Sequence, residues 1–579
     1  MVQILNKVIR INMADLSIKE EVLSNEYSYL GGRALTSRII AQEVEATCHP
    51  LGVKNKLVFA IGILAGTPVS SANRISIGGK SPLTGGIKES NGGGVTALKM
   101  ARLGIRMLII EGKPSPLGSK PDDLPLYTVV IKKDGVQIVE ANILRGMGNF
   151  QLIENLKQTY GENIAVSSIG PIGERCQSSA GIANTDREGR PSRYCGRGGL
   201  GAVMGSKGLK AIIFDDVGCS ATVSHNREKF QQLYKEGNQL LLNNEIVAGY
   251  AKYGTAGMLE NTNAMGILPT RNFSTGFFNE GEKICGEALY QMIKERGGVG
   301  DTTHACMPGC VIRCSNVFPD KQGNELVAPL EYETIGLMGS NCEIADFDVI
   351  AELNYHCNDY GIDTIEVGAA LGVAMEAGLI PFGDKDGAVR LIKEIGEGTV
   401  LGRVLGEGAA VTGRVLGVAR VPVVKGQAMP AYEPRGIKGL GITYATSPMG
   451  ADHTAGNTIR QKIDHRNPEG QEAISRRAQF MAALFDSLGL CVFVGVVFGA
   501  RLDLLASLIE AHSGIKVSEE ELLNLGKETV AIERKFNNNA GFTKSHDRLP
   551  DFFVAEICPS SQNSFDVSEK QLDSVHQDD

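Results

Sequence analysis

Three cysteines at regular intervals are the strongest chemical signal in the sequence. Cys306, Cys310 and Cys314 are each separated by three residues, and a Pro-Gly pair lies between the first two. Because proline and glycine interrupt a straight helix, the segment is predicted to form a bent loop. Such a loop can place three thiolates around an iron–sulfur cubane, whose fourth thiolate often comes from far along the chain. Cys491 is the best remote candidate for that ligand.

Three other interpretations of this cysteine loop remain open. Structural zinc usually uses two pairs of ligands with two to four residues between partners, whereas this triplet has no second pair. A radical-SAM cluster loop has three and then two residues between its thiols, against three and three here. Unligated core cysteines are the third alternative. The other cysteines show no ligand spacing and are expected to be packing residues: Cys48, Cys176, Cys195, Cys219, Cys285, Cys342, Cys357 and Cys558.

Two glycine-rich segments, residues 90–94 and 196–201, are candidate phosphate loops. Backbone N–H groups that no side chain covers bind anions well, especially next to cations. The cations near these segments in sequence are Arg74, Arg193, Arg197 and Lys207. The pattern suggests that two phosphate groups are held in one domain, although simple tight turns would also account for the glycines.

The segment GRGGLG at 196–201 matches the dinucleotide-binding pattern G-x-G-x-x-G, but its context argues against that function. The pattern requires a hydrophobic strand directly before it, and the preceding DREGRPSRYC is charged and interrupted by proline. An acidic residue about 20 positions further on is also missing, since Asp215 and Asp216 come too early. A Rossmann site is therefore not expected.

Two short segments, at 358–363 and 486–491, repeat one pattern of a polar acceptor, two residues, glycine, an aliphatic residue and a polar or thiol residue. Asn358 and Asp363 belong to the first segment, and Asp486 begins the second. Carboxylate and amide oxygens can accept hydrogen bonds from ring and amine N–H groups, and the glycine lets the backbone approach closely. A duplicated loop suits a duplicated ligand.

The elements that position these residues change character along the chain. Strand-like segments dominate to about residue 215, including KLVFAIGIL, RMLIIEG, LKAIIFDD and a hairpin turn at Asp134-Gly135. Helical periodicity follows from about 226, for example in REKFQQLYKEGNQLLL. A Pro/Gly-rich stretch at 421–441 is predicted to be a second boundary or an active-site loop. Three domains are therefore expected, at 1–215, 216–420 and 421–579, with an α+β fold.

The end of the chain gives two further predictions. Ser518 and Glu521 form a capping-box pattern at the start of a helix. The last twenty residues are polar and acidic and are expected to be disordered.

Composition excludes several classes of partner. The net charge of -8 gives no basic surface for nucleic acid. The N-terminus lacks the apolar stretch of a signal peptide, and no segment has the roughly 18 apolar residues of a membrane span. A cytoplasmic protein is expected, which also makes a framework of disulfides unlikely to form from its 12 cysteines.

With these motifs combined, the sequence resembles the aldehyde:ferredoxin oxidoreductase family of tungstopterin enzymes. The likeness runs from the N-terminal GGRAL through GRGGLGAVMGSKGLKAI to DSLGLC, nearly the whole chain. The resemblance implies a β-rich first domain and two mainly helical domains that enclose the cofactors at their interface. The implied cofactors are tungsten, or molybdenum, held by two pterins, a [4Fe–4S] cluster, and Mg²⁺ bridging the pterin phosphates.

The resemblance also implies roles for individual residues. Asn91 and the backbone of Tyr194 match positions around the magnesium, Arg74 matches an arginine between pterin and cluster, and Arg193 matches a phosphate-loop position. The expected pterin contacts are Asn358, Asp363 and Asp486. Cys306, Cys310, Cys314 and Cys491 are the expected cluster ligands. Neighbouring positions are expected to contact the cofactors as well: Gly92, Gly93, Cys195, Gly196 and Leu490.

Three departures from the family pattern affect these expectations. The family's best-known form has two residues between its first two cluster cysteines, whereas Cys306 and Cys310 are separated by three. Asn358 stands where aspartate is usual, which removes one charge. No histidine follows Cys357 before His453, so the iron that bridges subunits in some members is not expected.

By resemblance, the expected reaction is oxidation of an aldehyde to a carboxylate, with electrons leaving through the cluster to ferredoxin or an iron–sulfur subunit. His453 would bind the substrate carbonyl, and Glu331 or Glu333 would be the general base. A loop histidine and a solvated strand face are the simpler interpretations of these three residues. Two other functions remain open, namely a low-potential reaction such as reduction of an aromatic acyl-CoA, and an iron–sulfur protein without pterin. A homodimer also remains open.

Overall fold

The computed structural model describes residues 6–117 and 123–577. Strands dominate up to residue 214, and helices dominate afterwards. This arrangement confirms the predicted succession of a β-rich N-terminal region and a mainly helical remainder.

The first sheet contains six strands in the order β2-β1-β6-β3-β4-β5. Their bounds are β1 Lys7–Asn12, β2 Ser17–Val22, β3 Leu57–Ile61, β4 Ile75–Lys80, β5 Ile87–Gly92 and β6 Ile105–Glu111. All pairs are antiparallel except β1 with β6, which is parallel.

The second sheet also contains six strands, in the order β11-β10-β9-β12-β7-β8. Their bounds are β7 Tyr127–Lys132, β8 Gly135–Glu140, β9 Ala165–Ser168, β10 Ile182–Thr185, β11 Pro191–Cys195 and β12 Leu209–Phe214. β7 and β8 form the hairpin predicted from Asp134-Gly135.

The two sheets share one apolar core, to which alternate side chains of each strand contribute. Along β3, Leu57, Phe59 and Ile61 belong to the core that also contains residues of the second sheet. Val58 and Ala60 belong to a different core, which includes helices from the C-terminal region. Because successive strand residues point to opposite faces, β3 is covered on both sides, and all five of its residues are buried.

Five helices accompany the sheets in the N-terminal region. They are α1 Gly32–Glu43, α2 Thr96–Arg102, α3 Asn149–Tyr160, α4 Pro171–Glu174 and α5 Leu200–Ser206. α1 packs on the first sheet, and α3 covers the outer face of the second.

The remaining helices follow from residue 227. They are α6 Arg227–Leu242, α7 Glu245–Tyr253, α8 Met258–Ala264, α9 Gly286–Arg296, α10 Tyr332–Met338, α11 Phe347–Tyr360, α12 Thr364–Glu376, α13 Lys385–Glu397, α14 Val400–Gly406, α15 Ala409–Leu416, α16 Lys438–Thr446, α17 Gln471–Ser487, α18 Gly495–Phe498, α19 Leu502–Ser513, α20 Glu519–Asn539, α21 Asp551–Ala555 and α22 Glu569–Ser574. α6 confirms the helix predicted from the periodicity of REKFQQLYKEGNQLLL. Two small sheets interrupt them, with strands β13 Asp301–His304, β14 Ser315–Pro319, β15 Glu325–Val327, β16 Val423–Val424 and β17 Gln427–Ala428.

The Pro/Gly-rich stretch at 421–441 is largely buried, with Ala428 to Gly441 buried throughout. Its side chains, such as Met429 and Tyr432, share one apolar core with residues on both sides of it. The stretch therefore packs inside the helical region, and a domain boundary at 421 stays a prediction.

The prediction that the last twenty residues are disordered is wrong for those that the structure describes. α22 ends at Ser574, and Val575 and His576 are buried. The polar and acidic composition of this segment does not reveal that a few apolar and ring side chains, such as Val575 and His576, pack against the rest of the protein. At the start of α20, by contrast, Ser518 and Glu521 form the predicted capping box.

No single helix among residues 6–117 and 123–577 is long and apolar enough to cross a membrane. One pair, α17 with Val492–Phe498, passes the test of length and composition together but is bent by 117°.

Candidate functional site

One cavity of about 970 Å³ collects most of the predicted site residues. Its wall combines the end of β5, the loop after β13, the start of α10 and the segments around 453 and 486. The predicted residues that line it are Arg74, Asn91, Gly92, Gly93, Arg193, Tyr194, Gly196, Cys306, Cys314, Glu331, Glu333, Asn358, Asp363, His453, Asp486 and Cys491. The structure thus brings together side chains that are up to 417 positions apart in sequence (Arg74 to Cys491).

The four predicted cluster cysteines lie close together, with three of them on one part of this wall and Cys310 directly behind. The loop between β13 and β14 bends at Gly309, whose φ of 80° is left-handed, as the Pro-Gly pair predicts. Ser71 connects the two distant parts, because its hydroxyl donates to Sγ of Cys310 at 3.4 Å. Its carbonyl oxygen accepts from the backbone N–H of Cys491 at 3.0 Å. Cys491 is therefore held beside the central loop.

The described cysteine sulfurs are not arranged as a closed tetrahedral zinc site. A tetrahedral zinc with Zn–S bonds of about 2.3 Å would bring its sulfurs within about 4 Å of one another. Among the described residues, the one group of three or more possible ligand atoms within 4.8 Å of one another is Asp186, Glu188 and His304. That group is not a cation site, since Arg190 and Arg193 contact its side chains.

Neighbouring groups shift the pKa values of the thiols in opposite directions. A hydrogen bond from Cys306 lowers the pKa of Cys310 to about 6, and the same interaction raises the pKa of Cys306. Burial raises the pKa of Cys314 and that of Cys491. The lowered pKa of Cys310 favours its thiolate, which is the form that binds metal.

Arg74 connects the cysteines to the repeated polar motifs. Its guanidinium donates to the side chain of Asn91 and, at 3.0 Å, to the carbonyl oxygen of Asn91. Burial lowers its pKa, but the negative charges of Cys491, Cys306, Asp486 and Cys195 together outweigh burial, so the pKa is raised. Its role as an arginine between cluster and pterin stays a prediction.

Asp486 is fixed by two partners from the N-terminal region. Its Oδ1 accepts from Nδ2 of Asn91 at 3.0 Å, and its Oδ2 lies 3.2 Å from NH1 of Arg33. Arg33 in turn forms a two-bond ion pair with Glu533 of α20. Burial raises the pKa of Asp486 to about 6.

The first copy of the repeat is held in a similar way. The carbonyl oxygen of Asn358 accepts from the hydroxyl of Tyr194 and from Nδ2 of Asn149. Asp363 caps α12 by accepting from the backbone N–H of Ile365 at 3.0 Å. Its other oxygen lies 3.4 Å from Nε of Arg197. Both copies therefore present polar side chains from a rigid helix end.

Three predicted residues do not line the cavity. Cys310 lies behind Cys306, with which it is hydrogen-bonded. Cys195 is buried in the core between the sheets, where its thiol packs behind Gly92. Leu490 is buried in the core beneath α1. Any contact of Cys195 or Leu490 with a cofactor is thus left to backbone atoms.

The segment GRGGLG is not a dinucleotide loop, although a strand does precede it, contrary to the sequence expectation. That strand, β11, is an edge strand antiparallel to β10. β10 is antiparallel to β9, and β9 to β12, so β11 and β12 also run in opposite directions. A Rossmann unit needs parallel strands joined by a crossover helix, so the exclusion of such a site is confirmed.

The two candidate glutamates are not on a strand face. Glu331 precedes α10 and Glu333 lies in its first turn. Oε1 of Glu333 lies 3.4 Å from Nε2 of His453, and its Oε2 accepts from the backbone N–H of Ala431 at 2.7 Å. Glu331 instead accepts from Thr255. Burial raises the pKa of both carboxyl groups.

Sequence reasoning missed two acidic residues of the cavity wall. Burial, followed by the charge of Asp486, raises the pKa of Glu89 to about 8. Asp452 forms a buried ion pair with Lys88 at 2.7 Å. The charged pair Lys88-Glu89 inside a strand directly before the glycine loop was the available signal.

The wall fits a large polar ligand. Oε1 of Glu89 and Nε of Arg193 are buried without a hydrogen-bond partner among the described residues. Buried polar atoms in this state usually bind a ligand or water. A Cβ at Gly92 would lie 3.1 Å from the carbonyl oxygen of Tyr194 and 3.2 Å from Sγ of Cys195. Glycine at this position therefore lets the end of β5 pack closely against Tyr194 and Cys195 of β11.

The chain is similar to known oxidoreductases over nearly its whole length. The chain is 32% identical to the tungsten-containing aldehyde ferredoxin oxidoreductase of Pyrococcus horikoshii, over 96% of this chain and 92% of the relative. It is 26% identical to an aliphatic sulfonate oxidoreductase, WOR-like subunit, of Pyrococcus furiosus, over 91% of this chain and 85% of that one.

A solved structure has the same fold. The active-site complex BamBC of benzoyl coenzyme A reductase with 1,5-dienoyl-CoA matches with a TM-score of 0.82 at 18% identity, covering 100% of this chain and 94% of that one. Models of the N-terminal domain and of domains 2 and 3 of aldehyde ferredoxin oxidoreductase match residues 8–216 and 232–577. The chain belongs to the aldehyde ferredoxin oxidoreductase family.

Proposed function

We propose that this protein is an oxidoreductase that converts an aldehyde to a carboxylate at a tungsten bis-pterin centre and passes the electrons through a [4Fe–4S] cluster to ferredoxin. The observation that carries the proposal is one cavity that joins three cysteines to a half-buried Glu333–His453 pair. The names of the relatives at 31–32% identity support the reaction and the metal.

The residues that would hold the cofactors are those of the cavity wall. Cys306, Cys310, Cys314 and Cys491 would bind the cluster. Asn91 and the backbone of Tyr194 would hold Mg²⁺, and the two repeats with Asn358, Asp363 and Asp486 would contact the pterins. When bound, the tungsten centre would supply a two-electron acceptor for the substrate, and the cluster would supply one-electron transfer to the acceptor protein.

The protein's own contribution is binding and proton transfer. Nε2 of His453 would donate a hydrogen bond to the carbonyl oxygen of the aldehyde. Glu333, next to it, would take the proton from water or from the aldehyde hydrate. Its buried position supports the role, because a raised pKa brings a carboxylate closer to the basicity that proton abstraction needs. Glu331 has no such contact with His453, so we assign the base to Glu333.

The direct test is anaerobic purification followed by elemental analysis and an assay with benzaldehyde and benzyl viologen. We expect about four iron atoms and one tungsten per chain, and loss of turnover in His453→Ala with the cluster spectrum retained. Full activity of His453→Ala would remove the proposed role of this residue. Protein with neither iron nor a group 6 metal would refute the proposal as a whole.

Two alternatives are distinguished by the same preparation. A reductase of aromatic acyl-CoA would require electron-transfer subunits and would purify as a large complex. The likeness to benzoyl-CoA reductase is a likeness of fold at 18% identity, so it does not favour this function over aldehyde oxidation. A protein that has lost the pterin would contain iron and sulfide without tungsten or molybdenum. A cytoplasmic location, a homodimer and the absence of a bridging iron stay predictions.

A further inference from the structure

The solvent-exposed opening of the cavity is positively charged. Most lining residues are buried or half-buried, and the acidic ones, such as Glu89, Glu333 and Asp486, are among these. Two of the lining residues that are also exposed to solvent, Arg460 and Arg477, are cations. The other exposed lining residues are uncharged: Ile246, Thr454, Gln461, Val492 and Ala500. We call these seven residues the rim, and it is positive in a protein of net charge -8.

Arg460 is held in place by two aromatic rings. Its guanidinium carbon lies 4.7 Å from the ring centroid of Tyr250 and 5.6 Å from that of Phe493. The two rings stack on each other with centroids 4.6 Å apart. Stacking uses the face of the guanidinium and leaves its N–H groups free to donate in the plane. No carboxylate among the described residues forms an ion pair with Arg460.

Arg477 lies at the solvent-exposed end of an apolar face of α17. Ile474, Ala478, Met481 and Phe485 line the cavity from this helix at spacings of three and four residues, the period of one helical face. Arg477 lies on the same face, and no acidic residue within the described ranges is paired with it. The cavity therefore offers an apolar wall that ends in two unpaired cations.

We propose that the rim selects aldehydes that carry an anionic group, a carboxylate or a phosphate, at the end remote from the aldehyde carbon. The inference rests on the proposed aldehyde oxidation and names its substrate class. An apolar body would contact Met481 and Phe493, while the anion binds the N–H groups of Arg460, with Arg477 nearby. Arg460 lies seven residues after His453 on the same loop, so one segment would bind both ends of the substrate.

The test compares matched aldehydes with benzyl viologen as acceptor, so that ferredoxin has no influence. The pairs are 4-carboxybenzaldehyde with 4-methylbenzaldehyde, and succinic semialdehyde with butanal; 4-formylphenyl phosphate tests phosphate. For each pair, the ratio of kcat/KM for the anionic to the neutral aldehyde is measured in the wild type, Arg460→Met, Arg477→Met and the double variant. Comparing ratios between variants cancels the intrinsic reactivity of each aldehyde.

We expect Arg460→Met to lower the ratio about tenfold or more, equivalent to about 1.4 kcal/mol, because hydrogen bonds to charged groups are stronger than those between neutral groups. Arg477→Met should lower it less, and the double variant most. Arg414→Met is the matched control, because Arg414 is exposed on α15 and does not line the cavity. Iron content and Tm of each variant confirm that it is folded.

A binding measurement separates this inference from the proposed reaction. Calorimetry with terephthalate and 4-methylbenzoate, which resemble the two aromatic products, needs no turnover. If no aldehyde is oxidised but terephthalate binds more tightly and depends on Arg460, the reaction is refuted and the anion site stands. An unchanged ratio in Arg460→Met together with unchanged terephthalate binding overturns the inference. A higher KM for ferredoxin with an unchanged aldehyde ratio also overturns it, because the rim would then bind the protein partner.

Discussion

Nε2 of His453 lies 3.4 Å from Oε1 of Glu333 in a cavity that excludes most solvent from both side chains. The carboxylate is held from the other side by the backbone N–H of Ala431. The histidine and the acid therefore form one unit, and the neighbouring Glu331 lies outside it. This relationship separates two glutamates that the sequence could not distinguish.

Glu333→Gln should lower kcat by about 100-fold or more, because positioned general bases contribute roughly 10²–10⁴ to rate. Glu331→Gln is the matched comparison, and we expect it to lower kcat less than tenfold. Turnover of aldehyde with benzyl viologen measures both. Equal losses in the two variants, or a nearly active Glu333→Gln, would contradict the assignment.

The pH dependence should report the same carboxylate. Burial raises the pKa of Glu333, and the base must be deprotonated to act. As pH falls through this raised pKa, kcat/KM should therefore fall, at a pH above the ordinary range of glutamate near 4.5. A rate profile of the wild type measures this acidic limb. Its persistence in the residual activity of Glu333→Gln would assign the limb to another group.

Much of the N-terminal region could be predicted from local patterns. The alternation in β7 and β8 with Asp134-Gly135 between them gave the hairpin, and uninterrupted apolar runs gave β3 and β6. These elements follow from turn chemistry and strand periodicity, which act over a few residues. The prediction of Cys306, Cys310 and Cys314 as cluster ligands rests on an equally local pattern, the spacing within one loop.

The parts of the site that depend on distant packing could not be predicted in this way. The ion pair between Arg33 and Glu533 joins residues 500 positions apart, and no local pattern of charge suggests it. Glu331 and Glu333 looked like strand residues because alternation alone does not reveal a helix start after a buried loop. Arg460 gave no signal, since its partners are rings from two other segments.

Replacement of the cluster cysteines should remove iron selectively. We expect Cys310→Ser and Cys491→Ser each to lose the [4Fe–4S] signal and most of the iron, because each removes a thiolate from the group that Ser71 connects. Cys219→Ser is the matched control, since Cys219 is half-buried and outside the cavity. Iron analysis and low-temperature EPR measure the outcome. Full iron content in Cys491→Ser would exclude it as a ligand.

The ion pair of Arg33 with Glu533 should stabilise the position of the second repeat. Glu533→Ala leaves Arg33 buried with Asp486 alone, and removal of one partner of a buried pair typically costs about 3–5 kcal/mol. We expect Glu533→Ala to have a lower midpoint of urea unfolding than Glu528→Ala. Glu528 also lies on α20, but it is the exposed partner of Arg38. Equal midpoints would show that water replaces the buried carboxylate.

His512 should make the protein less stable in acid. Burial lowers its pKa to about 4, and its Nδ1 is hydrogen-bonded to Ser224 at 3.0 Å. The unfolded chain, with a histidine pKa near 6.5, binds the proton more readily, so stability present above pH 6.5 is lost as pH falls toward 4. His512→Gln should flatten this decline by up to about 1.4 kcal/mol per pH unit, measured by urea unfolding at several pH values.

His225→Gln is the control. The side chain of His225 is exposed, and the contact of this residue with His512 is a hydrogen bond from its backbone N–H to the carbonyl oxygen of His512, which the substitution leaves in place. Parallel declines in wild type and His512→Gln would show that other groups cause the acid sensitivity.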